Sequence, residues 1–272
     1  MATASVTLAA LQKQSPLDAL ETRILVMHAL GLSRTQLITQ SERMLTEEEA
    51  ASVDTLIRRR AAGEPIAYIV GVREFHGLPF HVTPAVLIPR PETELLVELA
   101  VERLPQHGRV LDLGTGSGAI AVAIAHARPD AVVTALDVSQ DALAVATSNA
   151  RRNNVEVEFL RSDWYGAVAG RRFDVVVSNP PYIVAGDAHL AQGDLRFEPI
   201  GALTDHADGL SAIRQLCAGA QTHLEPGGSI HIEHGYDQAE AVRALLSRHG
   251  FAAVQSWRDL AGIERVSGGV LT

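Results

Sequence analysis

The sequence predicts an α/β protein with a mostly parallel β-sheet, preceded by a small helical domain. From about residue 92 onward, apolar runs typical of buried strands alternate with segments whose apolar residues recur at helical spacing. This alternation is typical of parallel strands joined by helices that cover both faces of a sheet. The first part of the chain lacks the alternation and carries helix start and stop signals instead.

Two helices are predicted in this first part. Ser15 is the expected N-cap of "SPLDALETRILVMHALG", and Gly31 is the expected stop. Thr46 and Glu49 have the spacing of a capping box and open the second helix, "TEEEAASVDTLIRRRAAG". We therefore predict a helical domain over residues 1–63.

A β-hairpin linker is predicted over residues 64–91, where "EPIAYIVGVREFHGLPFHVTP" contains short β-prone runs broken by Gly and Pro. The larger domain is predicted over residues 92–272. Its expected strands are "RVLDLG", "AVVTALDV", "VEVEFL", "FDVVVS", "GSIHIEHG" and two β-prone runs at the end. Its expected helices are "ETELLVELAVERL", "GAIAVAIAHA", "QDALAVATSNARRNN", "GLSAIRQLCAGAQTHL" and "QAEAVRALLSRHG".

Bulk composition narrows the classes of function. The 272 residues are 47% hydrophobic, enough for at least one large core, and carry a formal net charge of −9. That charge argues against a surface built to bind bare nucleic acid. The longest apolar stretch, "AIAVAIAHA", is too short to span a bilayer, so no membrane association is expected. With one cysteine, Cys217, and no secretion-signal pattern, we expect a cytoplasmic protein.

A glycine-rich loop joins the first strand of the larger domain to a helix. Gly114, Gly116 and Gly118 lie in "LDLGTGSGAIAVAIA". Glycines let the backbone turn tightly and let a ligand approach the chain closely. A plain tight turn is the alternative, since a glycine fingerprint alone is a weak signal. The position between a strand and a helix favours a ligand site.

The residues around this loop indicate the ligand. The pattern is G-x-G-x-G rather than the G-x-G-x-x-G of dinucleotide sites. Asp112, just before it, suits a cationic ligand end better than a phosphate. Asp137 ends the next strand, where a carboxylate can accept both hydroxyls of a ribose. S-adenosylmethionine has a ribose, an amino group, a sulfonium and no phosphate, so it fits better than NAD.

Asp163 and Trp164 follow the third strand, where an adenine is expected. The carboxylate can accept from the exocyclic amine, and the indole can cover the ring. The alternative is a surface loop whose Trp packs on the core.

The stretch "FDVVVSNPPYI" ends a strand in Asn179, Pro180, Pro181 and Tyr182. The Asn179 oxygen and the Pro180 carbonyl can each accept one N–H of a planar NH₂ group, and the two proline rings fix the backbone. Tyr182 can stack on the flat face of a substrate. A proline-rich turn after a strand is the alternative. The pattern favours a slot for a primary amide or aromatic amine, whose weakly nucleophilic nitrogen needs positioning and electrostatic activation.

Four motifs together resemble the PrmC/HemK family of protein-(glutamine-N5) methyltransferases. They are "LIPRPETELLVE" at 87–98, "SNPPYI" at 178–183, "RFEPIGAL" at 196–203 and "RDLAGIERV" at 258–266. The resemblance covers nearly the whole chain. It implies an S-adenosylmethionine-dependent class I methyltransferase fold, Rossmann-like, with a mostly parallel seven-stranded sheet.

The resemblance also implies roles for individual residues. It implies that S-adenosylmethionine is bound by Gly114, Thr115, Gly116, Ser117, Gly118, Asp137, Trp164 and Asn179. It implies that Asn179, Pro180, Pro181 and Tyr182 hold the substrate amide, with Asn179, Pro180 and Tyr182 as catalytic residues. The implied substrate is the glutamine of the Gly-Gly-Gln motif in class I peptide chain release factors. Methylation of that glutamine supports translation termination.

Other functions remain as alternatives. A nucleic-acid amino-methyltransferase acting on adenine N6 or guanine N2 can use the same slot, although a basic surface is then expected. A nucleotide-binding module without transfer chemistry, or an NAD-dependent dehydrogenase, leaves the Asn-Pro-Pro-Tyr stretch unexplained.

The segments outside the motifs carry two further predictions. The N-terminal helical domain has helix caps and apolar faces but no polar cluster suited to catalysis, so we expect it to select the protein substrate. In "HIEHG", His231 and Glu233 lie on one face of a strand and His234 on the other, so no metal site is expected.

Overall fold

The computed structural model describes residues 6–272, so the first five residues of the predicted helical domain lie outside the described part. The chain forms two compact units, a smaller one that ends at Gly71 and a larger one from Val72 to Thr272.

Helices make up most of the smaller unit in its described part. Its helices are α1 (Leu8–Gln14), α2 (Ala19–Leu30), α3 (Arg34–Thr39), α4 (Glu47–Ala61) and α5 (Ile66–Val70). Their apolar faces meet in one core, in which Leu8, Leu25, Val26 and Val53 are fully buried.

The caps of α2 and α4 test the predicted helix boundaries. The capping box of Thr46 and Glu49 on α4 is confirmed, as is the stop at Gly31, which adopts a left-handed conformation. The predicted N-cap Ser15 is wrong, because Asp18 caps α2 and its carboxylate accepts from two N–H groups of the first turn. Ser15 instead ends α1. The dipole of the helix also stabilises a carboxylate at this position.

Helix α5 also differs from the sequence prediction, which placed a β-prone run over these residues. Pro65 precedes the helix and Gly71 ends it in a left-handed conformation. A proline at the start and a glycine just past the end are helix signals, and they outweigh the β propensity of the Ile, Tyr and Val residues between them.

A β-hairpin opens the larger unit, with strands β1 (Val72–Phe75) and β2 (Leu78–His81). Its turn residues His76 and Gly77 both have positive φ angles, as a two-residue hairpin turn requires. The side chain of Asn149 accepts from the His81 N–H at 2.7 Å and donates to its carbonyl at 2.9 Å.

The rest of the larger unit alternates strands and helices. Its strands are β3 (Arg109–Leu113), β4 (Val132–Asp137), β5 (Glu158–Arg161), β6 (Phe173–Ser178), β7 (Leu224–Glu233), β8 (Phe251–Arg258) and β9 (Glu264–Leu271). Its helices are α6 (Glu94–Arg103), α7 (Ala119–Ala127), α8 (Gln140–Arg152), α9 (Ile200–Leu203), α10 (Ser211–His223) and α11 (Ala239–Arg248). Short 3₁₀ turns lie at Pro91–Thr93, Trp164–Val168, Ala188–Ala191 and Leu195–Phe197.

These strands form one seven-stranded sheet in the order β5-β4-β3-β6-β7-β9-β8. Six of the seven strands run in the same direction and only β9 runs opposite to them, so the predicted mostly parallel sheet is confirmed. Apolar clusters cover both faces, and the three valines of β6 are fully buried. The direction of strand order reverses between β3 and β6, so a ligand crevice is expected at their carboxyl ends.

Within residues 6–272, no helix is long and apolar enough to cross a membrane.

Candidate active site

A cavity of ≈ 410 Å³ lies at the carboxyl ends of β3, β4 and β6. This is the edge at which the strand order reverses, and its volume suits a nucleoside-sized ligand. The predicted site residues in its wall are Gly114, Thr115, Gly116, Ser117, Asp137, Asp163, Trp164, Asn179 and Pro181. Three other predicted residues, Gly118, Pro180 and Tyr182, lie outside the wall.

The glycine loop runs from β3 to α7. The N–H groups of Gly114 and Thr115 both donate to the Leu136 carbonyl at 2.9 Å, which ties the loop to β4. Gly114 and Gly116 have φ angles of 75° and 55°. A Cβ at Gly116 would meet nothing within 4 Å, so the missing side chain leaves open space there. Such a bare backbone suits close approach of a ligand.

Gly118 has a different reason to be glycine. Its φ angle is 80°, and a Cβ there would come within 3.0 Å of the Ala146 Cβ on α8. The residue thus allows α7 to pack closely against α8.

Asp112 is fully buried and is not part of the cavity wall. Its Oδ2 accepts from the Thr115 hydroxyl at 2.6 Å, and burial raises the pKa of the carboxyl to about 7. The expectation that it faces a cationic ligand end is therefore wrong, because the side chain binds the base of the glycine loop instead.

Asp137 presents its carboxylate to the cavity. Its Oδ2 accepts from the Gly116 N–H at 2.8 Å, and its Oδ1 accepts from the Ser139 N–H at 2.9 Å. Burial raises the pKa of Asp137, while these backbone N–H groups oppose the rise. Each carboxylate oxygen can accept a second hydrogen bond, so the group can bind a diol without releasing the loop.

Trp164 is held in an unusual backbone conformation, with a φ angle of 45°. The Ser162 hydroxyl donates to the Trp164 carbonyl at 2.7 Å and accepts from the Ala167 N–H at 2.9 Å. The indole Cζ3 lies 3.9 Å from the position that a Cβ on Gly114 would occupy. These contacts hold a non-glycine residue at positive φ, which is a costly conformation typical of ligand sites.

Asn179 follows β6 and is half-buried. Its Nδ2 donates to the Thr93 hydroxyl at 3.2 Å. In the described part of the chain its Oδ1 has no hydrogen-bond partner, so it is available as an acceptor.

Tyr182 is not part of the cavity wall. Its hydroxyl is 3.4 Å from Oε1 of Glu233, and its carbonyl accepts from the Gln238 side chain at 3.0 Å. Burial and the neighbouring Glu233 carboxyl raise the pKa of the phenol. In this arrangement the ring does not line the cavity in which the sequence predicts a stacked substrate.

Sequence reasoning gave no role to Arg90 and Glu198, which join two of the quoted motifs. The Glu198 side chain is fully buried, pairs with Arg90 and accepts from the Ile88 N–H at 3.0 Å. Burial raises the pKa of Glu198, and the Arg90 guanidinium opposes the rise. Arg90 and Pro199 both line the cavity, so this ion pair fixes one wall of it. The sequence feature that could have indicated this pair is that Arg90 and Glu198 each lie next to a proline.

The wall suits a ligand with a cationic part and no phosphate. Its charged side chains are the carboxylates of Asp137 and Asp163 and the guanidinium of Arg90, which is already paired. Together with the bare glycine backbone, this set fits S-adenosylmethionine better than a dinucleotide.

Two buried histidines, His231 in β7 and His234 just after it, lie close to serine hydroxyls. Nε2 of His231 lies 3.2 Å from the Ser229 hydroxyl, and Nε2 of His234 lies 2.8 Å from the Ser267 hydroxyl. Burial lowers the pKa of both imidazoles. Across residues 6–272, no group of three or more His, Cys, Asp or Glu residues could hold a metal ion.

Two family models match the chain. The model described as "PrmC N-terminal domain" matches residues 3–71, and the model described as "Methyltransferase small domain" matches residues 91–194.

Similar proteins named "Release factor glutamine methyltransferase" occur in several bacteria. The protein of Burkholderia pseudomallei (strain K96243) is 60% identical, over 97% of this chain and 96% of its own. The protein of Neisseria gonorrhoeae (strain ATCC 700825 / FA 1090) is 51% identical, over 93% of each chain. The protein of Escherichia coli (strain K12) is 45% identical, over 91% of this chain and 90% of its own.

Solved structures support the fold. A methyltransferase from Pyrococcus furiosus aligns with a TM-score of 0.55 and 22% identity, covering 78% of this chain and 95% of its own. The T. thermophilus 16S rRNA N2 G1207 methyltransferase aligns with a TM-score of 0.55 and 24% identity, covering 74% and 50%.

Proposed function

This chain belongs to the family of release factor glutamine methyltransferases, and we infer that it transfers the methyl group of S-adenosylmethionine to the side-chain amide nitrogen of a release factor glutamine. The identity of 60% over nearly the full length of a protein with that name carries this conclusion. The cavity lies where the strand order reverses, and Asn179 in its wall can accept a hydrogen bond from a substrate amide. A transfer to an amide nitrogen needs this arrangement.

The methyl donor is S-adenosylmethionine, which supplies an electrophilic methyl group when bound. We propose that the bare backbone of Gly114 to Ser117 lies against it. We propose that Asp137 accepts its ribose hydroxyls, and that Asp163 and Trp164 bind its adenine. These roles are supported by the position of each residue in the cavity wall.

We propose that Asn179 and Pro180 position the substrate. The lone pair of an amide nitrogen is delocalised, so it is a poor nucleophile. Oδ1 of Asn179 and the carbonyl of Pro180 accept hydrogen bonds from the two N–H groups of the substrate amide. These hydrogen bonds raise the electron density on the nitrogen and orient its lone pair towards the methyl group. The nitrogen becomes acidic only as the new bond forms. No strong base is therefore needed before transfer.

We propose that Pro181 and Tyr182 support this slot. Pro181 lines the cavity, and its ring restricts the backbone after Pro180. Tyr182 has its carbonyl bound by Gln238 and its hydroxyl near Glu233, which supports a role in holding the backbone of the slot. A stacking role for its ring requires the ring to move when the substrate binds.

For the substrate, we propose the glutamine of the Gly-Gly-Gln motif in class I peptide chain release factors, as the family resemblance implies. We propose that the N-terminal helical unit selects this protein and does no chemistry. Direct binding of nucleic acid is not part of the proposal, which the net charge of −9 supports. We also propose that the protein acts in the cytoplasm.

Formation of S-adenosylhomocysteine by the purified protein tests this function. We expect turnover with a class I release factor and none with the same factor carrying a Gln→Ala change in its Gly-Gly-Gln motif. Ribosomal RNA and DNA, the substrates of the alternative function, are tested in the same assay. Turnover that needs RNA or DNA, or that survives the Gln→Ala change, would contradict the proposal.

A further inference from the structure

Two buried polar residues lie near Asn179. Thr93 comes just before α6 and lines the cavity, and Glu233 ends β7. The two residues are 4% and 2% exposed. Strands β6 and β7 are paired in parallel up to Ser178 and Ile232, so Glu233 lies in register beside Asn179. Glu233 therefore lies close to Asn179 at the end of the sheet.

Each of the two residues contacts one residue of the slot. Nδ2 of Asn179 donates to the Thr93 hydroxyl at 3.2 Å, and the Tyr182 hydroxyl lies 3.4 Å from Oε1 of Glu233. Oε2 of Glu233 is buried and has no close hydrogen-bond partner among residues 6–272. Burial raises the pKa of this carboxyl, and the Thr93 and Tyr182 hydroxyls oppose the rise by favouring its charged form.

The direction of each hydrogen bond matters because the Thr93 hydroxyl has one proton. In its ionised form Glu233 can only accept, and its buried Oε2 has no other donor among residues 6–272, so in that form it favours a Thr93 proton directed towards it. The hydroxyl oxygen is then left to accept from Asn179, which must present its NH₂ group to Thr93 and its oxygen to the cavity.

We propose that Thr93 and Glu233 are positioning residues that fix the orientation of the Asn179 amide, so that its Oδ1 faces the methyl-accepting nitrogen. This inference rests on the proposed function. With the amide reversed, its NH₂ donors would face the NH₂ donors of the substrate, and one of the two acceptors of the slot would be lost.

Paired substitutions at Thr93 test the proposal. Thr93→Val keeps the shape of the side chain and removes the hydroxyl, whereas Thr93→Ser keeps the hydroxyl. We expect Thr93→Val to lower kcat for the release factor roughly ten- to a hundredfold, as expected for a misplaced reacting group. KM values should stay within about threefold of the wild-type values, because the Asn179 amide orients the substrate nitrogen more than it adds to substrate affinity. Thr93→Ser should stay within about threefold of the wild-type kcat.

A second pair at Glu233 keeps the proposal testable if a Thr93 variant does not fold. Glu233→Gln retains an oxygen that can accept from Thr93, and Glu233→Leu does not. We expect the Gln variant to keep the higher kcat. Binding of S-adenosylhomocysteine and the melting temperature are measured for every variant, to show that the site is formed.

The outcomes separate the two claims. An inactive wild-type protein would contradict the proposed function itself. With an active wild type, a wild-type kcat in folded Thr93→Val would overturn the positioning role alone. Equal losses in folded Thr93→Val and Thr93→Ser, or in folded Glu233→Leu and Glu233→Gln, would also overturn it, because packing would then explain the effect.

Discussion

Replacing Asp137 with alanine is expected to weaken cofactor binding without unfolding the protein. The carboxylate accepts from two backbone N–H groups, those of Gly116 and Ser139, at 2.8 and 2.9 Å, and it lines the cavity. A hydrogen bond to a charged group is worth about 1.5–3 kcal/mol. Since about 1.4 kcal/mol corresponds to a tenfold change in affinity, S-adenosylhomocysteine should bind roughly ten- to a hundredfold more weakly.

Isothermal titration with S-adenosylhomocysteine measures this effect, and Asp141→Ala is the matched control. Asp141 is an exposed carboxylate in the first turn of α8, outside the cavity wall, so its loss removes the same charge without a ligand contact. Asp137→Asn should bind no better than Asp137→Ala, because its NH₂ group would face one of the two backbone donors. Wild-type affinity in a folded Asp137→Ala protein would refute the ribose assignment.

Three further predictions concern the slot, the N-terminal unit and pH. Asn179→Ala should lower turnover about 10²–10³-fold, because the substrate nitrogen loses one hydrogen-bond acceptor. Asn179→Asp should keep more activity than Asn179→Ala if Asn179 acts only as an acceptor. Wild-type turnover in folded, cofactor-binding Asn179→Ala would contradict the proposed role of Asn179 in the slot. A chain starting at Val72 should, if folded, bind S-adenosylhomocysteine yet methylate the intact release factor poorly; full activity would contradict the division of labour. Burial raises the pKa of Glu233 from 4.5 to about 7, so the native state holds a proton that the unfolded state releases between these values. Wild-type stability should therefore fall by about 3 kcal/mol relative to Glu233→Gln as pH rises through this interval; parallel denaturation curves across it would exclude the shift.

Much of the larger unit could be predicted because its local signals agree with its tertiary structure. The valines of β6 are apolar on both faces, and only a covered sheet accommodates such a strand. Asp137 ends one strand and Asn179 follows another, so the rule that parallel sheets bind ligands at their carboxyl edge predicted both residues in the cavity wall.

The errors arose where the deciding contact is distant or ambiguous in sequence. Asp112 directly precedes the glycine loop, but only the path of that loop shows that the side chain points beneath it and binds Thr115. The pairing of Arg90 with Glu198 joins positions 108 residues apart, which periodicity cannot reveal. At Ser15 and Asp18 two good capping residues compete, and sequence alone does not rank them.

Methylation of a release factor glutamine on its side-chain nitrogen can be observed on the product itself. The measurement is tandem mass spectrometry of a class I release factor after incubation with the protein and S-adenosylmethionine. We predict one added methyl group, located on the glutamine of the Gly-Gly-Gln peptide, and none when Asn179→Ala replaces the wild-type protein for the same short incubation. An unmodified glutamine beside active methylation of another residue, or no methylation at all by folded, cofactor-binding protein, would contradict the claim.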